Sequence, residues 1–219
     1  MKKFRRWNRG LMLAVILIIG VIIFQAADQA RFQRSIPLIS GNIQDYLNNT
    51  SAVLTNETGK DTSSSAFLQN LDQFWSSDSR TKGYYYYTKS DFYNYLTQSE
   101  DSNLTLPMAF DVEITSCKIQ KNGPGACTAK VTYEQTAYLD QYGSFVSPFY
   151  VGYAYDPNSE GGDVTPDSVK NGEEAIRYTS TEQVLLQLYE EDGSWKIATA
   201  APSGSYGTPE LVKMTEVPA

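Results

Sequence analysis

The sequence predicts an α+β protein tied to a membrane by one N-terminal helix, and three observations carry that reading. Residues 1–10 hold Lys2, Lys3, Arg5, Arg6 and Arg9 with no acid, and they lead into fourteen uninterrupted apolar residues, Leu11–Phe24. From Gln25 the apolar positions recur every three or four residues, the period of an amphipathic helix. Past Leu106 the period changes to strict alternation, punctuated by turn signals, as strands require. Helices first and a meandering sheet afterwards is the order of a fold whose helices pack on one face of a curved antiparallel sheet.

Fourteen apolar residues fall short of the roughly 20 that a membrane span needs and would suit a secretory signal core. The flanks favour a span. A cleavage site needs small residues at the third and first positions before the cut, whereas "FQAADQAR" offers Phe24 with Ala26, Gln25 with Ala27, and Asp28 with Ala30. Trp7 at one boundary, Ala26–Ala27 at the other and a snorkelling Arg9 bring the segment near spanning length. The expectation is an uncleaved signal anchor over residues 10–27, with a cytoplasmic tail at 1–9. By the positive-inside rule the remainder lies outside the plasma membrane. No lipobox-like cysteine follows the apolar run.

Residues 28–59 are predicted as a linking amphipathic helix and loop. Phe32, Ile36, Ile39, Ile43, Tyr46 and Leu47 form its stripe, Pro37 should kink or restart it, and Gly41 weakens it. "NNTSAVLTNETGKDTSSS" reads as loop. A domain over 60–201 opens with a second helix capped by Ser63–Ser65 and buried through Phe67, Leu71, Phe74 and Trp75. "GYYYYT" is extended, and Ser90 caps the short helix "DFYNYL". Strands are expected at about 108–120, 127–141, 145–155, 175–190 and 194–201, with turns at "KNGPG", "QYGS" and "EDGS". Residues 156–174 form an acidic Gly/Pro loop, and the tail 202–219 should fray.

Composition excludes several functions. Past residue 10 there are 13 basic residues against 25 acidic ones, so phosphate-driven binding of nucleic acid is not expected. The chain has no histidine, which removes His-activated nucleophiles and His metal ligation, and two cysteines alone make no structural zinc site. No metal, cofactor or catalytic residue is predicted. "CKIQKNGPGAC" sets Cys117 and Cys127 on either side of a Gly-Pro-Gly turn, which suggests a cross-strand disulfide. In the simple register that joins them, Val112 and Ile114 oppose Thr132 and Lys130, so a bulge is also required, and two buried free thiols are the alternative. The sequons at Asn48, Asn49, Asn56 and Asn103 are frequent by chance in a chain of this composition.

The final hairpin, Leu188–Tyr189–Glu190 to Gly193–Ser194–Trp195–Lys196–Ile197, resembles the end of the nuclear transport factor 2-like, or cystatin-like, superfamily. That resemblance, over about 60–201, implies a cone-shaped domain in which Trp195 packs the last strand against the helices and is not a ligand contact. Val131, Leu186, Leu188, Leu71 and Phe74 join it in the expected core. Enzymes of the superfamily use Asp/His or Asp/Tyr groups in the cone; here Asp91, Asp111 and Tyr133 are the available types. The layout of short basic tail, single span and one outer cone domain is similar to the bitopic scaffold subunits of conjugation and type IV secretion machines, with a shorter cytoplasmic tail than the Gram-negative ones. It implies a scaffold or protein-interaction module that is not an enzyme and whose partners are other envelope proteins or further copies of itself. The alternative is a tethered small-ligand-binding or Asp/Tyr enzymatic cone. Tyr84, Tyr85, Tyr86 and Tyr87 are the expected interface, with Tyr85 and Tyr87 at a rim. The inward positions Ala129, Val131, Tyr133, Ala137 and Leu139, broken only by Gln135, lean toward a filled interior.

Overall fold

A computed structural model describes residues 9–55, 73–76, 90–91, 104–156, 172–203 and 207–218. The chain divides into two compact units, Met1–Ile39 and Ser40–Ala219. Helix α1 runs over Arg9–Thr55 and continues through Pro37, where the sequence predicts a kink or restart. In the first unit the large apolar side chains from Leu11 to Phe24 point outward all round, with exposures between 40% and 65%. Water would not tolerate such a surface, and a helix apolar on every side belongs in lipid. It is long and apolar enough to cross a membrane.

The second unit begins at Ser40, well before the boundary at residue 60 that the sequence suggests. The last turns of α1 bury Ile43, Tyr46, Leu47, Thr50 and Leu54, the three-and-four spacing of one helix face. Three side chains on this stretch satisfy carbonyl groups: Asn42 Nδ2 donates to Trp195 O at 2.5 Å, Tyr46 OH to Pro148 O at 2.6 Å, and Ser51 Oγ to Phe110 O. Trp75 meets Ile197 in an isolated bridge, with Ser76 N donating to Ile197 O and Ile197 N to Phe74 O.

Among the described residues eight strands follow: β1 (Leu104–Thr105), β2 (Ala109–Gly123), β3 (Ala126–Leu139), β4 (Gly143–Val146), β5 (Val151–Ala154), β6 (Glu174–Glu191), β7 (Ser194–Ser203) and β8 (Thr208–Lys213). The main sheet is antiparallel in the order β2-β3-β6-β7, with β8 also on β6, and a small sheet has the order β1-β4-β5. Register shifts between Ile114 and Ser116, between Lys121 and Gly123, and between Gln187 and Leu188 each add local twist, the usual way such a sheet curves. The predicted α+β class, an apolar helix followed by a curved antiparallel sheet, is the observed one. The single strand expected at 145–155 is instead the β4–β5 hairpin, closed by Ser147 N donating to Tyr150 O at 3.0 Å. On that hairpin Phe145 faces Gly152, and its ring lies where a Cβ on residue 152 would go.

The tail is also corrected. Residues 208–213, expected to fray, pair with β6 from Glu174 to Thr179, bury Val212 and join Glu210 to Arg177 at 2.6 Å. A 3-10 turn at Met214–Glu216 follows, and Met214 packs with Val212 against Ala109, Tyr138 and Ala175.

Trp195 is buried with Phe74, Val131, Leu186 and Leu188, as the resemblance implies. Its turn uses positive φ at Asp192 (50°) and Gly193 (80°), the pair that a tight hairpin needs. Phe67 and Leu71, the remaining residues predicted to be buried on the second helix, and the tyrosines Tyr84, Tyr85, Tyr86 and Tyr87 lie outside the described residues.

The disulfide is not formed. Cys117 and Cys127 are free thiols, because the register sets Cys117 opposite Val131 and Cys127 opposite Lys121. That register places Ile114 opposite Tyr133 and Val112 opposite Gln135, removing the pattern conflict that pairing the cysteines would create. Burial raises both thiols, Cys127 to about 12 with a smaller push from Cys117, which leaves neither as a reactive thiolate near neutral pH.

Candidate functional site

The inner face of the main sheet gathers polar groups at one place. On β3 the alternation that buries Ala129, Val131 and Ala137 also buries Tyr133 and Gln135. On β6 the parity that buries Val184, Leu186 and Leu188 continues back through Glu182 (1% exposed) and Ser180 (5%). The antiparallel register then makes Tyr133 and Glu182 direct partners, and Gln135 and Ser180 the next pair on the same face. Ser147 and Tyr150 enter from the β4–β5 turn.

Gln135 is the hub. Its Nε2 donates to Tyr150 OH at 2.6 Å and to Ser180 Oγ at 3.0 Å, while its Oε1 accepts from Ser147 Oγ at 2.9 Å. All three hydrogen bonds are internal, so this amide is satisfied without solvent. Burial raises the Tyr150 hydroxyl above its ordinary range first, and Glu182 adds through its charge and through a hydrogen bond. Tyr133 is raised well above its ordinary range by burial, then by Tyr150 and Glu182, with Ser147 opposing. Both phenols therefore stay protonated and serve as hydrogen-bond donors; neither is a phenolate base near neutral pH. The Tyr133 hydroxyl is completely buried and meets no protein group in full hydrogen-bond geometry, with only a weak opposing contribution from Ser147. An orphaned buried hydroxyl beside a buried acid is a costly arrangement.

Aromatic rings close over the cluster. Phe149 lies 6.0 Å from Tyr133 and 5.1 Å from Tyr46, and Tyr46 meets Trp75 edge-on at 5.7 Å. Tyr46, Trp75, Tyr133, Phe145 and Phe149 are among the largest fully buried side chains. Burial likewise lifts the Tyr46 hydroxyl far above its usual range.

Two of the acid and tyrosine types picked out in the sequence are not brought together. Asp111 sits exposed on the opposite face, paired with Thr136, whereas Tyr133 points inward. The acid that does face Tyr133 is Glu182. Its signal was legible as a charged residue at a core-parity position of a strand otherwise carrying Val184, Leu186 and Leu188. The lean toward a filled interior was read from β3 alone, and β6 adds a buried acid to that face. Among the described residues, no group of three or more His, Cys, Asp or Glu could hold a metal.

No protein-family model matches the chain, and no curated protein matches it by sequence. Solved structures similar to it in fold include a hexachlorocyclohexane dehydrochlorinase, LinA-type3, from Novosphingobium barchaimii (12% identity, 84% of this chain and 94% of that one, TM-score 0.43). A candidate scytalone dehydratase from Novosphingobium aromaticivorans is another (9% identity, 86% and 93%, TM-score 0.46). A third is an uncharacterized protein with a cystatin-like fold from Caulobacter vibrioides (15% identity, 82% and 91%, TM-score 0.39). At these identities the likeness is one of overall fold alone, and one of the three proteins is described as having a cystatin-like fold. The expectation that the chain is not an enzyme is withdrawn, because a fold of this kind leaves activity open. Neither the order of elements nor the lack of histidine excludes catalysis, since fold does not fix function.

Proposed function

We propose that this chain is a membrane-anchored module of the cell envelope that acts through protein contacts made by its folded unit outside the plasma membrane. The basic tail of residues 1–9 supports a cytoplasmic N-terminus by the positive-inside rule. The observation that carries the reading is the closed interior: Tyr46, Trp75, Tyr133, Phe145 and Phe149 fill it, and Gln135 satisfies its own hydrogen bonds from within. A domain whose inside is packed has its outer surface left for partners. Those partners are other envelope proteins or further copies of this chain, in an assembly with the layout of a conjugation or secretion complex. The Tyr84–Tyr87 run is one contact surface. Among the described residues, Tyr153 on β5 and Tyr155 just beyond it offer another, at 50% and 54% exposure.

A second reading, small-ligand binding inside the cone, is favoured by Glu182 and by the orphaned Tyr133 hydroxyl, since converging polar groups that cost stability often mark a site. Crosslinking in the native membrane, with identification of the captured proteins and of the neighbouring genes, separates the two. Recovery of secretion-channel subunits, reduced by Tyr153→Ser with Tyr155→Ser, is the expected result. Failure to capture any protein, together with a small molecule that raises the melting temperature of wild type but not of Glu182→Gln, would overturn the first reading in favour of the second.

A further inference from the structure

We draw no further inference here: the strongest candidate, the buried side-chain cluster of Tyr133, Gln135, Tyr150 and Glu182 on the inner face of the main sheet, belongs to the site already described.

Discussion

Replacing Tyr133 with phenylalanine should stabilise the protein. The hydroxyl is fully buried and finds no protein partner in full hydrogen-bond geometry, Ser147 contributing only weakly, so folding gives it little in return for its exposure to water. Leaving a buried polar group unsatisfied costs about 1–3 kcal/mol, and Tyr133→Phe removes that cost while keeping the ring that packs on Phe149. Only one oxygen atom's worth of packing is lost, so a net gain on the order of 1 kcal/mol is expected, or roughly 2–4 °C in Tm for a domain of this size. Tyr150→Phe is the matched control, because that hydroxyl accepts from Gln135 and bonds to Glu182. Its removal takes one hydrogen bond from the Gln135 amide and one from a buried acid and should cost about 2–3 kcal/mol. Urea unfolding of the full chain in detergent, followed by the fluorescence of Trp75 and Trp195, measures both variants. If Tyr133→Phe lost 1 kcal/mol or more, the hydroxyl would have to be bonded in solution and the reasoning would fail.

Alkaline pH gives a further test. The folded values of Tyr46, Tyr133 and Tyr150 all lie above the ordinary phenolic 10.0, so their contribution is complete below pH 10 and is lost as pH rises, at about 1.4 kcal/mol per pH unit for each, or about 4 together. Cys127, at about 12 against 9.0, starts the decline a unit earlier. Phenolate absorbance of these three tyrosines should appear only with global unfolding, and its appearance near pH 10 in folded protein would contradict their burial. Gly152→Ala should destabilise by about 1–3 kcal/mol, since a Cβ there would stand 2.3 Å from Phe145 Cζ and that ring is fully buried; an unchanged urea midpoint would mean the ring moves freely. Trp195→Ala should cost about 3–5 kcal/mol, and unchanged melting with lost ligand binding would return Trp195 to a site role. Protease applied to intact cells should digest the folded unit, and full protection would refute the proposed topology.

What the sequence determined by itself lies in its periodic segments. An unbroken apolar run from Leu11 to Phe24 has one low-energy environment whatever follows it, and the alternation past Leu106 assigns each strand its inner and outer face without reference to any partner. Asp192–Gly193 set the last hairpin by local backbone preference, and Trp195 followed into the core. Register was beyond its reach. Whether Cys117 meets Cys127 or Val131 depends on where two bulges fall, and a bulge is chosen by the packing of the whole sheet rather than by the residues beside it. The same applies to the C-terminal strand, whose polar sequence pairs with β6 only because β7 leaves the Glu174–Thr179 edge uncovered and Val212 finds a buried place there. The interior cluster was half visible, since strand parity already turns Tyr133, Gln135 and Glu182 inward. Only the tertiary structure made Tyr133 and Glu182 neighbours, because they lie on strands 49 positions apart whose juxtaposition is a fact of the sheet and not of either segment.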